Sequence, residues 1–84
     1  MKNDAKIAAR NVYASACMAE GAVRALNLPA AEDALEDMHD SLAALEMFDG
    51  DMHEVMLDVA GDADASVEWL REEQAKNVVV DIVK

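Results

Sequence analysis

The stretch AEGAVRALNLPAAEDALEDM, residues 19–38, holds the chain's only proline between two alanine-rich, amphipathic runs. Inside a helix, proline loses a hydrogen bond and clashes with the preceding turn, but it suits a first turn, where its missing N–H has no partner to lose. Pro29 therefore opens a second helix, with Glu32 and Asp33 near its positive end. Upstream, on a wheel for residues 5–27, Ile7, Ala8, Val12, Ala16, Met18, Ala19, Ala22, Val23, Ala25 and Leu26 share one broad apolar face. Lys6, Arg10, Glu20 and Arg24 lie opposite. So much alanine lets another helix approach closely. Asn11 and Ser15 fall within the apolar face, either at a solvated edge or, for Asn11, as a polar residue that fixes helix register across an interface.

Downstream, Ala31, Ala34, Leu35, Met38, Leu42 and Leu45 form a stripe that predicts a helix ending at Gly50, read as a C-terminal glycine. Asp51 and Glu54 have capping-box spacing and start a short third helix with Met52, Val55, Met56 and Val59 on its apolar side. Gly61 is its stop. Asp62 and Asp64 are N-cap candidates for a fourth helix, whose stripe is Ala63, Val67, Leu70 and Gln74, with Trp69 off it. The closing NVVVDIVK alternates like a strand, with Val78, Val80 and Ile82 on one side, whereas a helix would turn Asp81 onto the face of Leu70. Residues 78–84 are accordingly read as an extended tail. The expected fold is all-α, one domain over residues 1–84, as a small bundle of three to four helices.

A chain of 84 residues buries only about 60% of its unfolded surface. Self-association, seeded by the alanine face and helped by the tail, is the expected remedy, with a homodimer as its simplest form. No apolar run approaches the ~20 residues of a membrane span, and the first ten residues lack a continuous apolar core, so the expectation is a soluble, cytoplasmic protein. Cys17, the only cysteine, permits no internal disulfide and is read as a small apolar structural residue.

Candidate chemistry centres on the triplet Asp-Met-His, at residues 37–39 and again at 51–53, which contains both histidines. Beyond the triplet the two copies diverge, with polar and apolar positions exchanged, so the repeat is read as coincidence. Glu36 and His39 form Glu-x-x-His, the spacing used twice in di-iron carboxylate bundles, but Gly50 stands at the matching place before His53. Only a dimer could complete that ligand set, so a dimeric metal-carboxylate protein is the weakest reading. Asp62, Asp64, Ser66 and Glu73 imitate calcium-loop positions, yet Val67 replaces the turn glycine. No nucleophile elbow or phosphate-cradling loop surrounds Ser15, Ser41 or Ser66. The expectation is therefore no enzyme, no cofactor and no metal.

What stands out is charge. Residues 25–70 carry thirteen acids and no lysine or arginine, within a chain of net charge −11. Such a field repels nucleic acid and speeds association with cationic surfaces. Met47, Phe48 and Trp69 fall off the helical stripes and offer apolar anchors within the acidic rim, the arrangement of a binding hot spot. The candidate partner-binding residues are thus Glu36, Asp37, Asp40, Glu46, Met47, Phe48, Asp49, Asp51, Glu54, Asp58 and Trp69. In character the chain resembles the small acidic inhibitors encoded by phages, among them anti-CRISPR and DNA-mimic proteins, and would then act in the bacterial host's cytoplasm. That resemblance implies a non-enzymatic inhibitor that occupies the basic, nucleic-acid-binding surface of a larger protein or complex without touching nucleic acid itself. The alternative is a self-associating structural or regulatory helical module whose acids serve solubility.

Overall fold

The computed structural model describes the backbone of residues 2–83 and the side chains of residues 3–76. Three helices form a bundle: α1 (Lys2–Arg24), α2 (Leu28–Phe48) and α3 (Gly50–Val83). The all-α expectation holds, and the helix count is three. No described helix is long and apolar enough to cross a membrane.

Both connections are short, which makes sequential helices antiparallel neighbours. The first is a Schellman turn. Leu26 takes φ 59, its N–H donates to the Val23 carbonyl at 2.9 Å, and the Asn27 N–H donates to the Ala22 carbonyl at 2.8 Å. Asn27 then caps α2, its side-chain oxygen accepting from the Ala30 N–H at 3.2 Å, and Pro29 lies in the first turn as its chemistry requires.

The second connection is a single residue. Asp49, in an extended conformation, donates its N–H to the Leu45 carbonyl at 2.8 Å and so closes α2. Its Oδ1 accepts from the Met52 N–H at 3.1 Å and so opens α3. Gly50 is thus the first residue of α3 and not the stop of α2. The Asp51–Glu54 pair lies inside α3, because Asp49 has already taken the cap.

The expected third and fourth helices are one. Met56, Ala60, Ala63, Val67 and Leu70 are buried at alternating spacings of four and three, an unbroken heptad seam across Gly61. A single interior glycine costs about 1 kcal/mol relative to alanine, less than the burial that continuing the seam secures. Met52 and Val55 are exposed, so the apolar side of this region is carried by Met56 and Ala60 instead.

The extended tail is also corrected. The helix runs through residues 78–83, and Lys84 lies outside the described residues. A lone chain has no second strand to satisfy an extended backbone, whereas a helix bonds within itself. With 34 residues against 23 and 21, α3 outreaches its neighbours by roughly 15–20 Å at ~1.5 Å per residue, giving the molecule extents of 57 × 17 × 15 Å.

The core is narrow. In α1 it is Ala5, Ala8, Val12, Ala16, Ala19 and Val23. Ile7, Met18 and Leu26, expected on the buried face, are more than half exposed, because alanines bring the helices close enough to leave room only for a seam. The α2 stripe matches expectation at Ala31, Ala34, Leu35, Met38 and Leu45, with Leu42 half-buried. Cys17, expected in a structural apolar role, is exposed, since it falls opposite the α1 seam.

Candidate acidic interface

Three cross-helix pairs fix α2 against α3. Arg71 Nε donates to Glu32 Oε2 at 2.9 Å. His39 Nε2 lies 3.0 and 3.1 Å from the two oxygens of Asp64. His53 Nε2 lies 3.5 Å from Glu46 Oε2. Residue numbers rise along α2 as they fall along α3, the register of an antiparallel pair. A carboxylate can only accept, so Nε2 of His39 carries the proton in its pair. Gln74, expected on the apolar stripe, is half-buried at the seam's end, where its Nε2 donates to the Leu26 carbonyl at 3.2 Å.

These pairs use both histidines. His39 turns toward Asp64 on α3 and not toward Glu36, which is exposed. Asp62, Asp64, Ser66 and Glu73 sit within continuous helix, where no calcium loop can form. Among the described residues no three His, Cys, Asp or Glu side chains are grouped to hold an ion.

The predicted interface residues divide among several places. Glu36, Asp40 and Met47 lie on the outward face of α2, opposite its buried stripe, and Met47 is 85% exposed. Glu54 and Asp58 lie on the outward face of α3, with Asp51 near its start. Glu46, itself largely exposed, lies against His53 of α3, and Asp49 is the helix junction. Trp69 is 52% exposed on α3, away from the other anchors. The acids therefore form no single strip. Yet all lie within a cross-section of 17 × 15 Å, so their fields overlap at low salt. Of the thirteen acids in residues 25–70, only Glu32 is paired with a lysine or arginine among the described residues, and only Glu46 and Asp64 lie against a histidine.

Asp37 and Phe48 turn toward α1, where Asp40 joins them at the edge of a groove. Asp4, Ile7, Ala8 and Asn11 of α1 with Ser41, Ala44 and Phe48 of α2 line a recess of about 220 Å³. Asn11, Ala14 and Ser15 with Asp37, Asp40 and Ser41 line a second of about 320 Å³. Asn11 and Ser41 belong to both, so the recesses adjoin along the α1–α2 face. Asn11 and Ser15, which the sequence marks as polar intrusions in the apolar face, lie at its solvent-exposed edge and line this groove. Ile7, Ser41 and Asp4 were missed, because only the register of α1 on α2 brings them to Phe48 and Asp37. The chain matches no protein-family model, no curated protein and no solved structure.

Proposed function

We propose that this chain is a non-enzymatic binding protein whose acidic surface occupies a basic, nucleic-acid-binding surface of a larger protein, as an inhibitor. The observation that carries the reading is the unneutralised charge: within residues 25–70 Glu32 alone has a lysine or arginine partner among the described residues, Glu46 and Asp64 face histidines, and Glu36, Asp40, Glu54 and Asp58 face outward without a basic partner. Duplex DNA bears one charge per ~1.7 Å of axis, and carboxylates on successive ~5.4 Å turns of two neighbouring helices present a sparser version of the same negative field without offering a substrate. Rim charges of this kind set the association rate, whereas apolar anchors set residence time.

The test is capture of the partner from the natural host, followed by association kinetics across ionic strength. Charge reversal at Glu36, Glu54 and Asp58 is expected to slow association and flatten its salt dependence, with the complex refusing nucleic acid. A partner indifferent to both salt and those substitutions, or one that binds nucleic acid normally in the complex, overturns the reading. The self-associating module then takes its place, supported by Met18, Leu26, Met47 and Val55, each at least 63% exposed. Sedimentation across a concentration series tests it directly.

A further inference from the structure

We infer that the α1–α2 groove seats a helix of a cationic partner, with an apolar side chain entering between Ile7 and Phe48 and an arginine or lysine two to three turns away meeting Asp37 and Asp40. This rests on the reading of the chain as a binder of basic proteins and names the segment it recognises.

The groove's two ends differ in chemistry. At one, Ile7 (53% exposed) and Phe48 (43% exposed) stand over Ala8 and Ala44, with Asp4 at the margin. Both large side chains stay about half exposed, although a small core has few of them to spare. At the other end Asp37 and Asp40 stand beside Ala14 and Ser15. Asn11 and Ser41 lie between, and neither takes part in the cross-helix side-chain hydrogen bonds of the described residues. No basic side chain lines either recess among the described residues, so Asp37 and Asp40 present their charge to a cationic ligand.

Length and floor select a helix. From Phe48 to Asp40 and on to Asp37 is eight and then eleven residues of α2, about 12 to 16 Å at ~1.5 Å per residue. A ligand helix places residues i, i+7 or i+8, and i+11 on one face at that same spacing. Ala8, Ala14 and Ala44 keep the floor low, and small contact residues allow axes to approach to ~8 Å. The backbones of α1 and α2 are bonded within themselves, so there is no edge to which an extended peptide could add as a strand. An amphipathic helix laid in the groove would make a fourth member of the bundle.

The experiment uses the full chain and a synthetic helix-forming peptide of about fifteen residues with one leucine and arginines at i+7 and i+11, beside versions with glutamate for arginine or serine for leucine. Titration calorimetry and amide chemical shifts read the binding and its place. The expected result is shift changes at Ile7, Asn11, Ser41 and Ala44, with each altered peptide bound at least about tenfold more weakly. Ala44→Trp, which fills the groove without changing charge, is expected to weaken binding by a similar factor. The isosteric Asp37→Asn with Asp40→Asn does so only at low salt. Circular dichroism confirms that each variant keeps its helix content.

No binding at millimolar peptide, shifts confined to the Glu54–Asp58 face, or indifference to Ala44→Trp each overturns the inference. So does a concentration-dependent dimer that Ala44→Trp dissolves, since the occupant is then a second copy. A captured partner that responds to salt and to Glu54 and Asp58 but not to Ala44→Trp removes the groove while leaving the proposed function. A partner indifferent to salt removes the proposed function itself.

Discussion

Leu26 occupies a backbone position built for glycine. With φ 59 it sits in the left-handed region at the end of α1, where a side chain crowds the following carbonyl at a cost of roughly 1–2 kcal/mol. It is 63% exposed, so its isobutyl group recovers little by burial. Leu26→Gly is therefore expected to stabilise the protein by about 1 kcal/mol, a rise of roughly 4–8 °C in Tm for a domain of this size. A lower melting temperature would show that Leu26 contributes packing its exposure conceals. Asp49 is the opposite case. It closes one helix with its backbone and opens the next with its carboxylate, so Asp49→Ala should cost about 1 kcal/mol by thermal or urea unfolding while Asp49→Asn costs little. Pro29 placed the first junction from sequence, without the left-handed residue that makes it; at the second, Gly50 drew attention as the obvious stop, while the residue beside it holds both caps.

Among the elements, α3 separates local from tertiary signals. Reading glycine as punctuation split it at Gly61, although Met56, Ala63, Val67 and Leu70 had all been placed on apolar faces correctly. Ala60 continues the seam across the split, and its small side chain gave too weak a periodic signal to outvote the glycine beside it. Gly61 itself has negative φ, and a methyl group added there would meet nothing within 4 Å. Gly61→Ala is thus expected to stabilise by up to about 1 kcal/mol, whereas at a left-handed helix stop it would destabilise. Urea unfolding decides between the two by sign alone. Gly61→Pro should cost 3 kcal/mol or more, since it interrupts a continuous helix. The α2 stripe, by contrast, was legible throughout because Leu35, Met38, Leu42 and Leu45 are large and no glycine interrupts them.

For the whole molecule, the acidity was plain in composition, but its distribution was not. Sequence cannot show that Glu46 is spent on His53, that Asp64 is spent on His39, or that Asp37 and Phe48 turn together toward α1, because each depends on helix register. What the fold adds is confinement: α2 and α3 hold their acids within a cross-section of 17 × 15 Å. At low ionic strength the Debye length, ~30 Å at 0.01 M, exceeds that section, so carboxylates on different helices repel one another, while at ~1 M the length falls to about 3 Å. Unfolding relieves this repulsion, so screening it should favour the folded state. Salt also weakens the Glu32–Arg71 ion pair, but an exposed pair contributes only about 0–1 kcal/mol, and the unpaired acids outnumber it. The melting temperature should consequently rise between low salt and about half-molar sodium chloride, while affinity for a cationic partner falls over the same range. Opposite signs in the two measurements on one preparation would identify the unpaired acids as the common cause. A melting temperature that falls with salt would instead mean that the pairs of His39, His53 and Arg71 outweigh the repulsion, leaving the bundle dependent on its seam of charges as well as its seam of alanines.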